Sequence, residues 1–278
     1  MPNQKQPFPI LYEDQDLLVI SKPAGVVTND AASVTGLTVQ SWIEEYLLDL
    51  PAVDEKEWQQ MIAPDFDEQF GSPIDIFLQR KGMVHRLDKN TSGALILAKH
   101  PGSLVNLLAQ FRTRTVQKEY LCLTHGHFSS LEGEVNAAIG RSSRDRKKFA
   151  VVADGRPAVT RYTVEQTFSA FSDTAKQHLD RSFLSRVEKL YQGFSLVRCF
   201  PKTGRTHQIR VHMAHLNHPL VGDVTYVGKK RAKLDPVWCK RHFLHAASIE
   251  LKHPRTGVKL RVEAPLDDDL KQVLQLFI

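Results

Sequence analysis

The chain has 278 residues, 42% of them hydrophobic and 24% charged, and this globular composition argues against a mainly disordered or fibrous protein. Its net charge of +6 is unevenly distributed, because residues 1–80 carry 4 basic and 14 acidic side chains whereas residues 81–278 carry 33 basic and 17 acidic ones. The excess of positive charge in the second part fits either a nucleic-acid partner or a solvated basic face. No apolar run reaches the roughly 18 residues of a membrane span, and three scattered cysteines without a CxxC pair suit a reducing cytoplasm and argue against a disulfide scaffold.

The first part of the chain contains clear patterns and one unclear segment. Residues 10–12 and 17–20 predict two short strands around a polar turn. Apolar residues at helical spacing predict a helix over residues 38–48, with Thr38 as its cap. Residues 51–80 are acidic, contain prolines and have little periodicity, so we expect an irregular acidic insertion with one short helix.

Strands dominate the expectations for the rest of the chain, because short apolar or alternating runs are separated by turn residues. They are expected at residues 94–98, 119–123, 159–167, 183–187, 194–200, 244–251 and 258–262. Helices are expected at residues 103–111, at 206–216 with Thr206 as the cap, and at 266–277. This pattern predicts an α+β fold with a mostly antiparallel mixed sheet and flanking helices and loops. No linker divides the chain, so we expect one domain over residues 1–278.

Residues 85–93 (HRLDKNTSG) form the first candidate site. Asp88 lies between Arg86 and Lys89, cations that favour the ionised carboxylate that a nucleophile or base requires. Loops at strand ends commonly hold reactive groups, and this loop precedes a predicted strand. The same residues also fit an Asx-type turn, in which Asp88 bonds its own backbone. Local chemistry leaves both interpretations open.

Residues 203–212 (TGRTHQIRVH) form the second candidate site. Arg205 and Arg210 have the fork geometry that binds a carboxylate or a phosphate. Nearby histidines at positions 207, 212, 215 and 218 invite a metal interpretation. Their spacing is not HExxH, and no nearby Asp, Glu or Cys completes a plausible ligand set, so we expect no metal.

Two clusters of basic residues favour RNA or DNA further. They consist of Arg141, Arg144, Arg146, Lys147 and Lys148, and of Lys229, Lys230, Arg231, Lys233, Lys240 and Arg241. Phe149 and Trp238 adjoin these clusters and are candidates for stacking on unpaired bases. The sequence contains no GxGxxG, GxxxxGK[ST] or GxSxG motif, which argues against a nucleotide cofactor and against a GxSxG hydrolase.

The combination of motifs resembles the RluA-type family of RNA pseudouridine synthases. The elements that carry the resemblance are LLVISKPAG at 17–25, HRLDKNTSG at 85–93, Lys118-Glu119-Tyr120, GRTHQIRVH at 204–212, HPLVGD at 218–223 and LHA at 244–246. It implies a pseudouridine synthase-like catalytic domain with a central active-site cleft and a core from about residue 10 to residue 270. It leaves residues 51–80 as an insertion, and we expect no separate N-terminal RNA-binding domain.

The resemblance also implies roles for individual residues. Asp88 would be the catalytic nucleophile, Tyr120 would stack on the uracil, and Arg210 would pair with Asp88 and keep it ionised. Ile209 and Leu244 would form the apolar floor of the pocket. The other expected substrate-binding residues are His85, Arg86, Arg205 and His207. A uridine in a stacked helix must be flipped out to reach the aspartate.

The implied function is conversion of uridine to pseudouridine in structured RNA, with ribosomal RNA favoured and transfer RNA as the alternative. The reaction would need no cofactor, metal or nucleotide, and we expect a cytoplasmic monomer with RNA as its partner and no membrane. A catalytically silent RNA-binding protein and a metal-dependent hydrolase are the other classes. Activity on a uridine-containing transcript separates the first from an enzyme, and elemental analysis tests the second.

Overall fold

The computed structural model describes residues 7–31, 34–50, 52–63, 66–67, 69 and 71–277. Its strands are β1 (Ile10–Glu13), β2 (Leu17–Lys22), β3 (Ser92–Ala98), β4 (Gln117–His125), β5 (Glu132–Asn136), β6 (Ile139–Arg141), β7 (Phe149–Val151), β8 (Val159–Phe168), β9 (Phe194–Pro201), β10 (Leu244–Lys252) and β11 (Lys259–Glu263). Its helices are α1 (Val39–Leu48), α2 (Glu55–Gln59), α3 (Pro73–Arg80), α4 (Pro101–Arg112), α5 (Asp173–His178), α6 (Arg181–Leu190), α7 (Gln208–His215), α8 (Arg231–Leu234) and α9 (Asp268–Gln275), with a short 3-10 helix at Asp235–Val237. None of the described helices is long and apolar enough to cross a membrane.

The chain forms two compact units. The first consists of Met1–Gln117 and Ala246–Pro265, and the second of Lys118–His245 and Leu266–Ile278. In the first unit β1, β2 and β3 pair in antiparallel order, β10 neighbours β3, and β11 pairs antiparallel with β10. In the second unit β4, β9, β8 and β5 pair antiparallel in that order, and β6 and β7 form a separate hairpin. The predicted α+β class and the mostly antiparallel sheet are confirmed.

The core of the first unit lies beneath its central strands. Every residue of β2 and β3 is buried, and Val19 and Ile96 pack with Leu104 and Leu107 of α4. Each such side chain contributes roughly 1.5–3 kcal/mol through removal from water. Because β3 begins at Ser92, this core fixes the C-terminal end of residues 85–93.

The second unit contains a large aromatic cluster and a smaller cluster beside α7. Phe194 is almost fully buried in the first, where its ring contacts Tyr191 and Trp238. The smaller cluster joins β4 and β9 to Ile209 and Met213 of α7. These contacts hold α7 against the sheet.

The strand expected at residues 183–187 is wrong, because this segment belongs to helix α6. Asp180 begins the helix, and its carboxylate accepts a hydrogen bond from the backbone N–H of Phe183. Phe183 and Val187 are four residues apart and share the buried face. The apparent alternation was therefore one face of a helix sampled over too few residues.

Two other local expectations need correction. Helix α7 begins at Gln208 and not at Thr206, and its N-cap is His207, with φ of 55° and no side-chain cap bond. The 51–80 segment contains two helices, α2 and α3, where one was expected. Residues 51, 64–65, 68 and 70 of that segment, and residues 1–6, lie outside the described residues.

Candidate active site

The loop that carries Asp88 is held at the residue before it. Leu87 is buried, and the Thr28 hydroxyl both donates to its carbonyl oxygen at 2.8 Å and accepts from its N–H at 3.2 Å. After the aspartate, the N–H of Thr91 donates to the Asp88 carbonyl oxygen at 3.0 Å. The backbone of half-buried Asp88 is therefore fixed on both sides, as a reactive side chain requires.

Lys22 supports the same loop from beneath. Its side chain is fully buried, and its ammonium group donates to the carbonyl oxygens of Pro23, Val26 and Lys89 at 2.8, 3.0 and 3.2 Å. The Gly25 N–H also donates to the Lys89 oxygen. A buried charge is costly unless hydrogen bonds satisfy it. The Lys22 ammonium group therefore holds in place the backbone of Lys89, the residue after Asp88. Sequence reasoning gave Lys22 no role; a lysine ending an otherwise apolar strand was the available signal.

His85 and Arg86 lie in the same loop in different settings. The Nε2 atom of His85 accepts from the Ile96 N–H at 3.1 Å, and the ring stacks on Phe111 with centroids 4.9 Å apart. Arg86 is exposed. The substrate contacts expected of both residues stay predictions, and the structure adds a packing role for His85.

Three of the predicted site residues, the catalytic Tyr120 and the substrate-binding Ile209 and Leu244, meet in the second unit. Ile209 and Leu244 are buried in one apolar cluster, and Tyr120 packs against it. They come from α7, β10 and β4, which are far apart in sequence. The cluster forms an apolar surface, and the expectation that a planar base packs on it stays a prediction.

Arg210 is almost fully buried, with 6% of its surface exposed, and it pairs with Asp223. Its Nε donates to Asp223 Oδ2 at 2.7 Å and its Nη2 donates to Oδ1 at 2.9 Å, a two-pronged pair. Burial would raise the pKa of Asp223, but the Arg210 guanidinium holds it below its usual range. Sequence reasoning noted Asp223 only as the end of the 218–223 element and assigned it no role. The prediction that Arg210 pairs with Asp88 stays a prediction.

Gln208 explains where α7 begins. Its Oε1 accepts from the Thr203 hydroxyl at 2.6 Å and from the Arg205 N–H at 3.0 Å, which closes the turn before the helix. The Arg205 guanidinium donates to the Pro157 carbonyl oxygen at 3.1 Å. His207 Nδ1 lies 2.9 Å from the Tyr226 hydroxyl. The expected substrate contacts of Arg205 and His207 stay predictions.

Two other histidines of the second candidate site, His212 and His218, make structural hydrogen bonds. His212 lies within hydrogen-bond distance of the Thr160 hydroxyl and the Ala137 carbonyl oxygen, and His218 of the His125 carbonyl oxygen. Among the described residues, the group with metal-ligand proximity is instead Asp14, Asp16 and His253 of the first unit.

That acidic group already has protein hydrogen-bond partners, among them the Arg255 cation. The Arg255 guanidinium donates to both oxygens of Asp16, and His253 lies 2.6 Å from Asp14. His100 contacts Asp16 as well. The donor set therefore reads as an ion-pair network that joins the turn after β1 to the turn after β10.

The first basic cluster forms a hairpin, which we call the basic hairpin and define as residues 139–151. β6 and β7 are its strands, and Arg144, Arg146 and Lys147 are exposed in the loop between them. Lys148 differs from these three because its ammonium group donates to the Thr225 carbonyl oxygen at 3.0 Å. The Arg141 guanidinium lies over the Phe149 ring, 4.5 Å from its centre. Arg141 is exposed as well, so four cations of this cluster face solvent.

The second basic cluster is less available than its composition indicates. Arg241 is buried and paired with Asp267 and Asp269. Trp238 lies in the aromatic core against Phe171, so the expectation that it stacks on bases is wrong. Burial in the large cluster removes the apolar surface of its ring from water, which an exposed loop would not do.

The structure therefore distributes the predicted site residues over both units. Asp88, His85 and Arg86 belong to the first unit. The second unit holds the others, which are Tyr120, Arg205, His207, Ile209, Arg210 and Leu244.

Comparison with known proteins places the chain among enzymes of one kind. The family model described as RNA pseudouridylate synthase matches residues 16–215. The chain is 33% identical over 266 residues to an uncharacterized RNA pseudouridine synthase of Bacillus subtilis, covering 96% of this chain and 71% of the relative. It is 35% identical over 277 residues to the ribosomal large subunit pseudouridine synthase D of Pseudomonas aeruginosa, with the same two coverages. The fold is similar to that of the human RNA pseudouridylate synthase domain containing 1, with a TM-score of 0.61 and 24% identity over 99% of this chain and 96% of that one.

Proposed function

We propose that large-subunit ribosomal RNA is the substrate of this chain. The chain belongs to the RNA pseudouridylate synthase family, whose members are isomerases that convert uridine to pseudouridine in RNA. The observation that carries this choice of substrate is the similarity to proteins named ribosomal large subunit pseudouridine synthase D, at 35% identity over 96% of the chain. The chain acts, in this proposal, as a single catalytic domain and as a monomer. Its three cysteines are free thiols, which supports a cytoplasmic location.

In the proposed mechanism, Asp88 starts the reaction. It promotes cleavage of the N1–C1′ bond in one of two ways. Asp88 attacks C1′, and its bond to C1′ breaks again when C5 takes its place, or a glycal-like intermediate forms by loss of a C2′ proton that later returns. The uracil turns while it remains bound, and a C5–C1′ bond replaces the broken one. The proton on C5 is lost and N1 gains one, so the reaction is an isomerisation that consumes no oxidant or cofactor. The fixed backbone around Asp88 supports this role, because a nucleophile must be held within bonding distance of one atom.

The uracil must rotate while it stays bound, so it needs a surface that binds it in more than one orientation. Tyr120 stacks on the uracil in this proposal, with Ile209 and Leu244 as the floor of the pocket. Their common apolar cluster supports the assignment. Arg210 keeps Asp88 ionised in this proposal, while Asp223 holds the guanidinium through Nε and Nη2.

The rest of the RNA is bound through its backbone and through the space that the flipped base leaves. Arg144, Arg146 and Lys147 of the basic hairpin supply sequence-independent affinity for phosphates. His85, Arg86, Arg205 and His207 contact the nucleotide or its flanking phosphates. Specificity for one uridine then comes from RNA shape, because only some loops release a base at low cost.

Pseudouridine mapping of total RNA from cells with and without the gene tests the substrate. We expect loss of one or more pseudouridines from large-subunit ribosomal RNA. Loss confined to transfer RNA would contradict the ribosomal substrate and keep the reaction. An unchanged map would contradict the enzymatic function and leave an RNA-binding role.

A further inference from the structure

The segment 223–226 lies between Arg210 and the basic hairpin and contacts both. Asp223 forms the two-pronged pair with Arg210, and Arg210 Nη2 also donates to the Thr225 hydroxyl at 3.3 Å. The segment is a tight turn in which the N–H of Tyr226 donates to the Asp223 carbonyl oxygen at 3.0 Å. A single short turn therefore carries the groups that hold the arginine.

Tyr226 contacts the Arg210 guanidinium with the face of its ring, whereas Asp223 binds the nitrogen edge of the same group. The guanidinium carbon lies 5.2 Å from the centre of the Tyr226 ring, within cation–π range. A carboxylate that accepts from two nitrogens fixes the guanidinium along one edge but permits tilting about that edge. The ring against the guanidinium restrains this tilt.

The Tyr226 ring is itself held at its far end. Its hydroxyl oxygen accepts from the Phe149 N–H of the basic hairpin at 3.2 Å and lies 2.9 Å from His207 Nδ1. The ring also packs beside Ile139 and Val211, residues of the hairpin and of α7. The hydroxyl thus ties together the root of the hairpin, the first turn of α7 and the segment that holds Arg210.

We propose that Tyr226 is a positioning residue for the isomerisation, which acts by setting the tilt of Arg210 and by anchoring the basic hairpin to the same turn. The inference rests on the proposed function of Arg210. The Lys148 bond to the Thr225 carbonyl oxygen is a second anchor between the same two elements. A positioning residue of this kind affects the rate of the bound complex more than its formation.

The test measures the single-turnover rate at saturating enzyme and the RNA Kd separately, on a large-subunit ribosomal RNA transcript that the full-length protein modifies. Tyr226→Leu removes the ring and the hydroxyl, and we expect the rate to fall about tenfold while Kd changes less than about threefold. Tyr226→Phe keeps the ring and loses the hydroxyl, and we expect a loss of about threefold in rate. Tyr46→Phe is the matched control, because the half-buried Tyr46 hydroxyl contacts Glu13 in the first unit and should change neither quantity.

Substitutions of Arg210 separate this inference from the proposed function. If Tyr226 acts through Arg210, the rate of Arg210→Lys/Tyr226→Leu is higher than the product of the two single effects predicts. A double-variant rate equal to the product of the two single effects would overturn the positioning role, and so would normal rates in both Tyr226 variants. A normal rate in Arg210→Gln, which lacks the positive charge, would overturn the proposed function of Arg210 instead.

Discussion

Lys22 and Arg210 are buried cations that the chain satisfies in different ways. Three backbone carbonyl oxygens surround the Lys22 ammonium group, whereas the Asp223 carboxylate pairs with Arg210. Removing Asp223 would leave an uncompensated buried charge, while removing Lys22 would leave carbonyl groups beneath the Asp88 loop without a donor. Lys22 therefore stabilises the loop beside Asp88, and Arg210 and Asp223 stabilise each other.

The hydroxyl of Tyr120 can be separated from its ring by one substitution. Tyr120→Phe keeps the ring that packs against Ile209 and Leu244 but removes the group able to assist proton transfer at the sugar. We expect the single-turnover rate to fall more than the RNA affinity does. Equal rates for the two proteins would show that the hydroxyl has no catalytic part.

Gly93, at the end of the Asp88 motif, is a position where a side chain cannot fit. Its φ is +110°, and an added Cβ would lie 2.2 Å from the Ala246 carbonyl oxygen of β10. We expect Gly93→Ala to lower the free energy of unfolding by at least about 3 kcal/mol in urea titrations. Gly36→Ala is the control, since Gly36 has a φ of +95° with no atom within 4 Å and should lose only about 1–2 kcal/mol. Equal losses in the two variants would contradict the clash.

At the scale of single elements, predictions succeeded where a pattern was long and local. β2 and β3 are continuous buried runs, and Thr38 caps α1 as expected because its side chain accepts from the Ser41 N–H. The strands β5 and β6 were missed because they are short, β5 is mostly polar, and β-strand propensity depends strongly on the strands that pair with them. α7 begins late because Gln208 bonds the turn before it, a contact that no helix signal records.

The basic hairpin gives a prediction that depends on which cations are exposed. Replacing Arg144, Arg146 and Lys147 by glutamine should weaken RNA binding and flatten its salt dependence. Each lost phosphate contact removes roughly 0.7–0.9 from the log–log salt slope, so the slope should fall by about 2. Lys148 is left in place because it bonds the Thr225 carbonyl oxygen.

Affinity titrations at several salt concentrations measure this slope. The comparison set is Lys229, Lys230 and Lys233, three exposed cations of the second basic cluster. An unchanged slope in the hairpin variant together with a reduced slope in the comparison set would move the RNA-binding surface to the second cluster.

At the scale of the whole molecule, sequence reasoning proposed the catalytic residues but assigned no role to the residues that contact and support them. The motif around Asp88 is contiguous in sequence, so its residues could be recognised as one group. The fold class followed from the order of the predicted strands and helices. Thr28, Asp223 and Tyr226 support the site through contacts that span from 13 to 77 residues. Cys122 and Cys199 likewise lie far apart in sequence, yet their sulfur atoms are 3.7 Å apart on β4 and β9. Long-range pairing of this kind leaves no local signal.

Buried histidines in both units predict how stability depends on pH. Burial lowers the pKa of His100, His125 and His212, and it outweighs the opposing effects of Asp16, Asp235 and the Ala137 carbonyl oxygen. Below about pH 6.5 the unfolded chain binds protons at these positions that the folded chain does not, so the folded state loses stability as pH falls. Each histidine contributes up to about 1.4 kcal/mol per pH unit in this window.

Urea unfolding at pH 7.5 and pH 5.5 checks this expectation. The free energy of unfolding should be lower at pH 5.5 by roughly 2 kcal/mol in total. A further loss should follow below about pH 4, because the bonds from Arg255 and His100 overcome the effect of burial and hold the pKa of Asp16 below its usual range. Equal stability at pH 7.5 and pH 5.5 would contradict the assignment of neutral buried histidines.

The central claim is that Asp88 drives the isomerisation, and the release of tritium from RNA containing 5-tritiated uridine tests it most directly. The C5 hydrogen leaves when the C5–C1′ bond forms, so tritium release counts pseudouridines. We predict that the purified protein releases tritium from large-subunit ribosomal RNA, and that Asp88→Asn releases none while binding the same RNA within a few-fold, because the amide has the shape of the carboxylate but is neither a nucleophile nor a base. Turnover by Asp88→Asn at a substantial fraction of the normal rate would contradict the account.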